Sequence, residues 1–278
     1  MNNAKIISVS NQKGGVGKTT TAVHLTQALT ILGKKVLLVD MDPQANATMN
    51  LGITHAKLSY SITDVIESPE CLLNRTILRG GAQGFDILPG HISLAETSES
   101  LLGDSRARLR LATKLEPLKS LYDYIIIDTP PSCWSLLFYM SVQFATKVIV
   151  PVDCAPFALD GIKALLARVN QVQETTNPQL SVLGFLLTMV DRTNIASAIA
   201  EGLQEAFGTD VFQSTIRRTT KLKEVSSAGQ TLFHYDPRNP AAQDYMALAS
   251  EVIGRCAPVL KTMPELNRHL VSVEGGVQ

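Results

Sequence analysis

Asn11-Gln12-Lys13-Gly14-Gly15-Val16-Gly17-Lys18-Thr19-Thr20 is a glycine-rich stretch near the start of the chain, and the remaining elements are arranged around it. It follows the apolar run Ile6–Val9 and precedes an amphipathic stretch, Thr20–Leu32. The pattern predicts a strand, a loop and a helix. Backbone N–H groups of such a loop, together with the positive end of the helix dipole, form an anion site that glycines let a phosphate approach closely. Lys18 would reach the β- and γ-phosphates of a nucleotide, and the Thr19 hydroxyl would hold Mg²⁺.

The loop departs from the general phosphate-binding pattern at its first residue. That pattern expects a glycine at position 12, where this chain has Gln12, and a second lysine, Lys13, follows it. This arrangement resembles the deviant Walker A motif of the ParA/MinD family of P-loop ATPases. The resemblance implies ATP with Mg²⁺ as the ligand and an ATP-bound homodimer in which Lys13 reaches the partner's nucleotide. The implied nucleotide-binding residues are Lys13, Gly14, Gly15, Val16, Gly17, Lys18, Thr19 and Thr20.

Length, composition and net charge indicate how many domains the chain forms and whether its whole surface could bind nucleic acid. The chain has 278 residues, of which 45% are hydrophobic and 18% charged, and this suits one large α/β domain. Its formal net charge is zero with a pI near 7.0, which argues against a globally basic nucleic-acid binder. Any DNA contact must therefore come from a local patch. We predict a single ATPase domain over residues 1–260 and a loosely ordered tail over residues 261–278.

The cysteines and the N-terminus predict a cytoplasmic protein. The four cysteines lie far apart without a CxxC pair, so disulfide, zinc and cluster sites lack their spacing signal. The N-terminus resembles no signal peptide, and no apolar run approaches membrane-spanning length. The family resemblance adds an association with the nucleoid.

Strand patterns alternate with helical patterns along the chain, which predicts an α/β fold with a mostly parallel, twisted sheet and helices on both faces. Residues 44–84 are expected to be irregular, with short helical pieces. The predicted strands are Ile6–Val9, Val36–Asp40, Phe85–Leu88, Tyr124–Asp128, Lys147–Val150 and Val182–Met189. The predicted helices are Thr19–Leu32, Ile62–Glu67, Pro69–Leu73, Arg106–Leu118, Leu136–Phe144, Gly161–Glu174, Ile195–Phe207, Lys221–Ser227 and Ala241–Val259.

Acidic residues end two of the predicted strands. Asp40 and Asp42 close the second strand, and Asp128 closes the run Tyr124–Asp128. Carboxylates at these ends lie at the ligand-binding edge of an open parallel sheet. Asp128 can hold Mg²⁺ through water beside Thr19. The resemblance implies that Asp42 orients the attacking water and that Asp40 supports the Mg²⁺ shell.

The segment after Asp128 resembles the family's switch II and then departs from it. Thr129-Pro-Pro-Ser132 matches, but Cys133 and Trp134 stand where family members usually carry Leu-Gly. Simple packing and a special role of Trp134 remain open alternatives.

Two basic segments resemble DNA-contact regions of the family. Arg192 lies in the turn after the sixth strand, although this turn is one residue shorter than usual. The run Ile216–Glu224 resembles a segment that gives a nucleotide-base contact followed by a DNA contact, with Arg217 in place of the family proline. Pro237 and Arg238 match a segment before the last helix, and we predict that they bind the nucleotide. The predicted DNA-binding residues are Arg192, Arg218, Lys221 and Lys223.

The sequence therefore predicts an ATPase that dimerises with ATP, binds double-stranded DNA non-specifically and hydrolyses ATP slowly. A ParB-like partner would stimulate hydrolysis, and a DNA or protein cargo would be positioned; no membrane partner is expected. Three alternatives stay open. They are a MinD-like membrane cycle on the weakly amphipathic tail, an ATP-liganded DNA-binding regulator, and a reductase of the nitrogenase iron-protein type, for which Cys133 lacks a second suitable cysteine.

Overall fold

A six-stranded, wholly parallel sheet forms the centre of the molecule. The computed structural model describes residues 3–68, 72–81, 83–155 and 158–257. In chain order the strands are β1 (Lys5–Val9), β2 (Val36–Asp40), β3 (Asp86–Leu88), β4 (Tyr124–Asp128), β5 (Lys147–Asp153) and β6 (Ser181–Thr188). Their spatial order is β3-β2-β4-β1-β5-β6. The predicted fold class is thereby confirmed.

Helices cover both faces of this sheet. The first and the last helix pack against each other on one face together with the short helix Asn46–Met49, while the helices from Ile62–Glu67 to Asn194–Phe207 pack on the other. The α-helices are α1 (Lys18–Ile31), α2 (Asn46–Met49), α3 (Ile62–Glu67), α4 (Leu73–Thr76), α5 (Leu94–Ser100), α6 (Arg110–Leu115), α7 (Leu136–Phe144), α8 (Ala158–Thr175), α9 (Asn194–Phe207), α10 (Lys221–Ser227), α11 (Leu232–Tyr235) and α12 (Pro240–Cys256).

The strands are apolar throughout because both faces of the sheet are covered. In β4, Ile125 and Ile127 point into the core beneath α6 to α8, whereas Ile126 points into the core beneath α1 and α12. A strand exposed on one face would alternate apolar and polar residues. The continuous apolar runs therefore correspond to a three-layer arrangement.

The strand register assembles the ligand-binding edge. Asp40 at the end of β2 pairs with Asp128 at the end of β4, and Asp128 also lies beside Val9, where β1 ends and the glycine-rich loop begins. Two carboxylates and the loop thus meet at one point of the sheet edge. This is where an open parallel sheet binds its ligands.

The structure differs from the predicted elements in the segments between strands. The helix predicted over Arg106–Leu118 is broken into a 3₁₀ turn, the short α6 and a second 3₁₀ turn, Glu116–Ser120. Pro117 lacks the N–H that a continuing α-helix needs there. Helix α5 had no prediction. The helical piece predicted over Pro69–Leu73 lies largely outside the described residues.

Candidate nucleotide site

The glycine-rich loop wraps the beginning of α1. Gly17 is the N-cap residue of α1 and has φ +86°, while Gly15 has φ +77°, a region that favours glycine. The Thr188 hydroxyl at the end of β6 donates to the Val16 carbonyl at 2.9 Å. The Asn11 amide donates to the Pro151 carbonyl at 2.6 Å. The loop is therefore fastened to β5 and β6 on one side.

Lys18 lies buried at the start of α1, and its Nζ donates to the Lys13 carbonyl at 3.0 Å. Burial lowers the pKa of Lys18, and the negative charges of Asp128 and Asp42 partly oppose that shift. A nucleotide phosphate would supply further negative charge beside this ammonium. The arrangement suits a lysine that neutralises phosphate oxygens.

Asp40 is held rigidly by its neighbours. Its Oδ2 accepts hydrogen bonds from the Thr48 backbone N–H at 2.8 Å and from the Thr48 hydroxyl at 2.7 Å. The Thr48 hydroxyl in turn accepts from the Gly90 N–H at 2.8 Å. Burial raises the pKa of Asp40 to about 6, against the lowering effect of these hydrogen bonds. Sequence reasoning missed both Thr48, which follows Asp40 by eight residues, and Gly90, which comes from a distant segment.

Asp128 is buried beside Asp40, and neither of its carboxylate oxygens has a hydrogen-bond partner of standard geometry. Burial and the nearby charge of Asp40 raise the pKa of Asp128 well above its ordinary value, while the Thr19 hydroxyl favours the ionised form. A buried carboxylate without a partner is costly, and a cation would relieve that cost.

These residues fit Mg²⁺. Asp128 offers unpartnered oxygens, the Thr19 hydroxyl lies near Asp128, and Asp40 pairs with Asp128 in the strand register. In the described part of the chain, no group of three or more His, Cys, Asp or Glu side chains could hold a metal alone. An ion here would therefore need phosphate oxygens and water to complete its coordination.

A cavity of about 300 Å³ opens above the loop. Asp42 lines it, buried, and its Oδ1 accepts a hydrogen bond from the Gln44 N–H at 2.9 Å. The left-handed φ of 51° at Ala45, rare outside glycine, turns the chain back toward the cavity. The other lining residues are Gly14, Gly15, Gly17, Lys18, Thr19, Thr20, Gln44, Asn46, Pro131 and Met189.

Lys13 points away from this cavity. Its Nζ contacts both carboxylate oxygens of Asp153, at 3.0 and 2.9 Å, where β5 ends. The lysine side chain is 36% exposed, so it remains accessible from outside. Both lysines of the loop thus have defined and different positions. Sequence reasoning assigned no chemistry to Asp153.

A second cavity of about 710 Å³ adjoins the first, and Gly15, Gly17, Thr20 and Met189 line both. Met189 forms their common wall with a left-handed φ of 53°. The other residues that line the second cavity are largely apolar or carry hydroxyl groups, as suits a base and a ribose. Those residues are Thr188, Ile216, Arg217, Arg218, Thr219, Thr220, Leu222, Lys223, Ser226 and Tyr245.

Two of the four predicted DNA-contact cations are paired with acids. Arg218 lies 3.4 Å from Asp191, and Lys221 lies 2.6 Å from Glu224. Arg192 and Lys223 are exposed and have no acidic partner among the described residues. The positive surface is thus smaller than the charge count suggests, and Arg218 and Lys223 also line the second cavity.

Pro237 and Arg238 are exposed and line neither cavity. Their contact with a nucleotide stays a prediction.

Two loops meet near the second cavity through bare backbone. A Cβ added to Gly229, after α10, would lie 2.8 Å from the Gly52 Cα, after α2. Both glycines have positive φ, at +67° and +74°. The loop after α2, which continues from the segment of Asp42, therefore directly contacts the loop after α10, a helix that lines the second cavity.

A known protein family and several characterised relatives match most of this chain in sequence. The family model described as "AAA domain" matches residues 4–182. Sporulation initiation inhibitor protein Soj of Bacillus subtilis is 41% identical over 249 residues, which cover 89% of this chain and 98% of Soj. Chromosome partitioning protein ParA of Myxococcus xanthus is 37% identical, covering 91% and 89% of the two chains. The chain belongs to the ParA/Soj family of deviant Walker A ATPases.

Solved structures of this family's fold agree. A cobyrinic acid a,c-diamide synthase of Mycobacterium smegmatis with bound ADP and magnesium superimposes with a TM-score of 0.79 at 30% identity, covering 93% of this chain and all of that chain. MinD of Pyrococcus horikoshii with Mg-ADP gives a TM-score of 0.73 at 25% identity, covering 90% and 96%. Both of these neighbours were solved with bound ADP and magnesium.

In the described part of this ParA/Soj-family chain, no helix is long and apolar enough to cross a bilayer. The tail on which a membrane cycle would depend, residues 261–278, lies outside that part.

Proposed function

We propose that this chain is an ATP-dependent dimerisation switch that hydrolyses ATP slowly and binds DNA only in its ATP-bound dimeric form. The observation that supports this most directly is the position of Lys13. It lies at the start of the phosphate-binding loop, yet its ammonium group points away from its own cavity to Asp153. A lysine so placed is available to a second subunit's nucleotide.

The hydrolytic step is the attack of water on the γ-phosphorus of ATP. A P–O bond forms, the bond to the β-phosphate bridging oxygen breaks, and ADP, phosphate and a proton are released. Asp42, at the cavity wall, orients the water. Lys18 neutralises the phosphate oxygens, and Thr19, Asp40 and Asp128 would hold Mg²⁺, which would offset the charge on the β- and γ-phosphates. Such catalysis consists mainly of positioning and charge neutralisation.

Dimerisation completes the site in this proposal. Lys13 leaves Asp153 and contacts the partner's nucleotide, so the charge on the γ-phosphate is fully neutralised only across the interface. The pair that must break is partly exposed, and such pairs are worth about 0.2–1 kcal/mol. The cost of releasing Lys13 is therefore small beside the gain from a nucleotide phosphate.

DNA binding would use the exposed cations beside the second cavity. Arg218 pairs with Asp191, Arg192 follows Asp191 in the chain, and Lys223 lines the same cavity as Arg218. Phosphate binding of this kind is blind to sequence and weakens as salt rises. Because one subunit carries few unpaired cations, two subunits are needed for tight binding. A ParB-like activator and a DNA or protein cargo complete the proposed cycle.

Binding to a random-sequence duplex tests the DNA step. We expect tight, salt-sensitive binding with ATP and weak binding with ADP. Arg192→Ala with Lys221→Ala should weaken binding to every duplex and reduce its salt dependence, while ATP affinity stays unchanged, because neither residue lines either cavity. Lys119→Ala, at an exposed ion pair far from the second cavity, is the matched control. Unchanged DNA binding by the double variant would mean that this patch is a solvated surface.

The loop is tested by Lys18→Ala. Loss of the buried ammonium should abolish ATP-dependent dimerisation, measured by sedimentation with and without ATP. A variant that still dimerises with ATP would refute the loop's role.

Measuring ATP hydrolysis distinguishes the proposed switch from a regulator that binds ATP without hydrolysing it. We expect Asp42→Ala to retain ATP binding and lose phosphate release, because the water loses its orienting carboxylate. Phosphate release that is absent in the unmodified protein, with DNA and partner present, would favour the regulator.

A further inference from the structure

An apolar groove lies on the flank of the molecule, beside α7. Its volume is about 500 Å³, and three of its lining side chains are large, apolar and exposed. They are Leu102, Leu109 and Trp134, which are 74%, 45% and 60% exposed. Exposed apolar side chains gathered in one concavity indicate an interaction surface, whereas single ones are ordinary. None of these residues lines either nucleotide cavity.

Arg108 lines this groove, and Arg168 stacks on its Trp134 wall from outside the lining. The acid in the lining, Asp104, is already paired with Arg110. The Arg168 guanidinium lies 3.6 Å from the ring centroid of Trp134, and that of Arg108 lies 4.1 Å from the centroid of Tyr139. Neither arginine has a carboxylate partner among the described residues, and the buried Arg168 Nε has no hydrogen-bond acceptor. Trp and Arg are the residues most enriched at the centres of protein interfaces.

We propose that this groove binds an acidic amphipathic segment of a partner protein. Its apolar side chains would cover Leu102, Leu109 and the free face of Trp134, and its Asp or Glu residues would pair with Arg108 and Arg168. Covering an arginine without supplying a carboxylate would leave a desolvated, unpaired charge. The acidic character of the partner follows from that cost.

The charges disfavour two other occupants. A second copy docking the same groove about a twofold axis would bring the two copies' unpaired arginines together, since such an interface is self-complementary. A nucleic acid would satisfy the arginines but would leave the two leucines without apolar contact.

The groove is joined to the nucleotide site through the segment after β4. The Trp134 N–H donates to the Ser132 hydroxyl at 3.3 Å, and the adjacent Cys133 thiol donates to Gln12 Oε1 at 3.4 Å, at the start of the phosphate-binding loop. Partner binding is therefore expected to differ between ADP and ATP. This coupling rests on the proposed function, whereas the groove itself does not.

Trp134 is the only tryptophan of the chain, so its fluorescence reports directly on the groove. The probe is a synthetic helical peptide of about 16 residues, long enough for four helical turns, with a leucine face flanked by glutamates. We expect a blue shift of the Trp134 emission that saturates with peptide, measured first without nucleotide. A peptide with lysines in place of the glutamates should bind at least about tenfold more weakly.

Matched variants locate the binding. Leu102→Glu should abolish the blue shift, whereas Ile31→Glu, at a 51% exposed site on α1, should leave it unchanged. Arg108→Ala with Arg168→Ala should weaken binding of the glutamate peptide toward that of the lysine peptide. No emission shift with the glutamate peptide, or equal binding of both peptides, would overturn the proposal. So would a blue shift that grows with protein concentration alone, since it would identify a second copy as the occupant.

The effect of the nucleotide is measured separately, as peptide binding in the presence of ADP and of ATP. Peptide binding that is equal with ADP and ATP would refute the coupling and leave the groove in place. Failure of ATP binding itself would refute the proposed function without changing the result obtained in the absence of nucleotide.

Discussion

Gly90 packs against the carboxylate of Asp40 with no room for a side chain. A Cβ at this position would lie 2.8 Å from the Asp40 Cγ and 2.9 Å from its Oδ2. The carboxylate cannot retreat, because it is fully buried and held by Thr48. The position of a carboxylate that we propose supports Mg²⁺ thus depends on the absence of a methyl group in a loop fifty residues later.

Gly90→Ala should therefore displace Asp40. We expect a loss of about 1–3 kcal/mol in the free energy of unfolding, the usual cost of overpacking, together with weaker Mg²⁺-dependent nucleotide binding. Urea unfolding and nucleotide titration measure the two effects. Gly254→Ala in α12 is the control, because its added methyl meets no atom within 4 Å. Equal effects of the two substitutions would contradict the packing argument.

Asp153 governs the availability of Lys13 in the proposed dimer. Asp153→Asn removes the charge that holds the lysine, so we expect the ATP-bound dimer to form at up to about fivefold lower protein concentration, in line with the modest strength of partly exposed pairs. Sedimentation over a concentration series measures it. Asp104→Asn, which breaks the pair with Arg110 away from the loop, is the control. Weaker dimerisation of Asp153→Asn would show that the aspartate belongs to the dimer contact instead.

At the scale of elements, α1 joins the phosphate-binding loop to the segment that carries α11. His24 lies buried in α1, where Nδ1 contacts the Thr20 carbonyl at 2.8 Å and Nε2 accepts the Leu232 N–H at 3.1 Å. Only the neutral ring with its proton on Nδ1 satisfies both partners. The ring also stacks on Tyr245 of α12, at 5.0 Å between centroids. One side chain thus ties three helices together.

This contact predicts a loss of stability in acid. Burial lowers the pKa of His24 to about 4, whereas an unfolded chain would have the ordinary value near 6.5. The unfolded state therefore binds more protons between these values, so stability is complete above pH 6.5 and declines as the pH falls toward 4. The difference is worth at most about 3 kcal/mol, and urea unfolding across this range measures it.

His24→Gln is the variant that isolates the histidine's share. It should be less stable at pH 7.5 but should lose less on acidification. If both proteins lose equal stability between pH 6.5 and 4, the decline comes from other groups.

At the scale of the molecule, the sequence predicts the regular secondary structure but misses contacts between residues that are distant in the chain. The strands and long helices were predictable because a sheet covered on both faces requires continuous apolar runs, and β2, β4 and α7 have their predicted bounds. The position of the glycine-rich loop was predictable because it follows β1 directly, and those of Asp40 and Asp128 because they end β2 and β4. Gly90 and Asp153 were not predictable, since only the folded chain brings them to the site, and Thr48 was missed although it lies eight residues after Asp40. The dimer, DNA and nucleotide contacts remain predictions.

The touching glycines, Gly52 and Gly229, have a mechanical consequence. One loop continues from the segment that carries Asp42, at the phosphate end of the cavities, and the other leads from α10, at the far end. With no side chains between them, neither loop can advance without pushing the other. A rearrangement of the first loop around a phosphate would therefore displace the second loop, at the opposite end of the nucleotide.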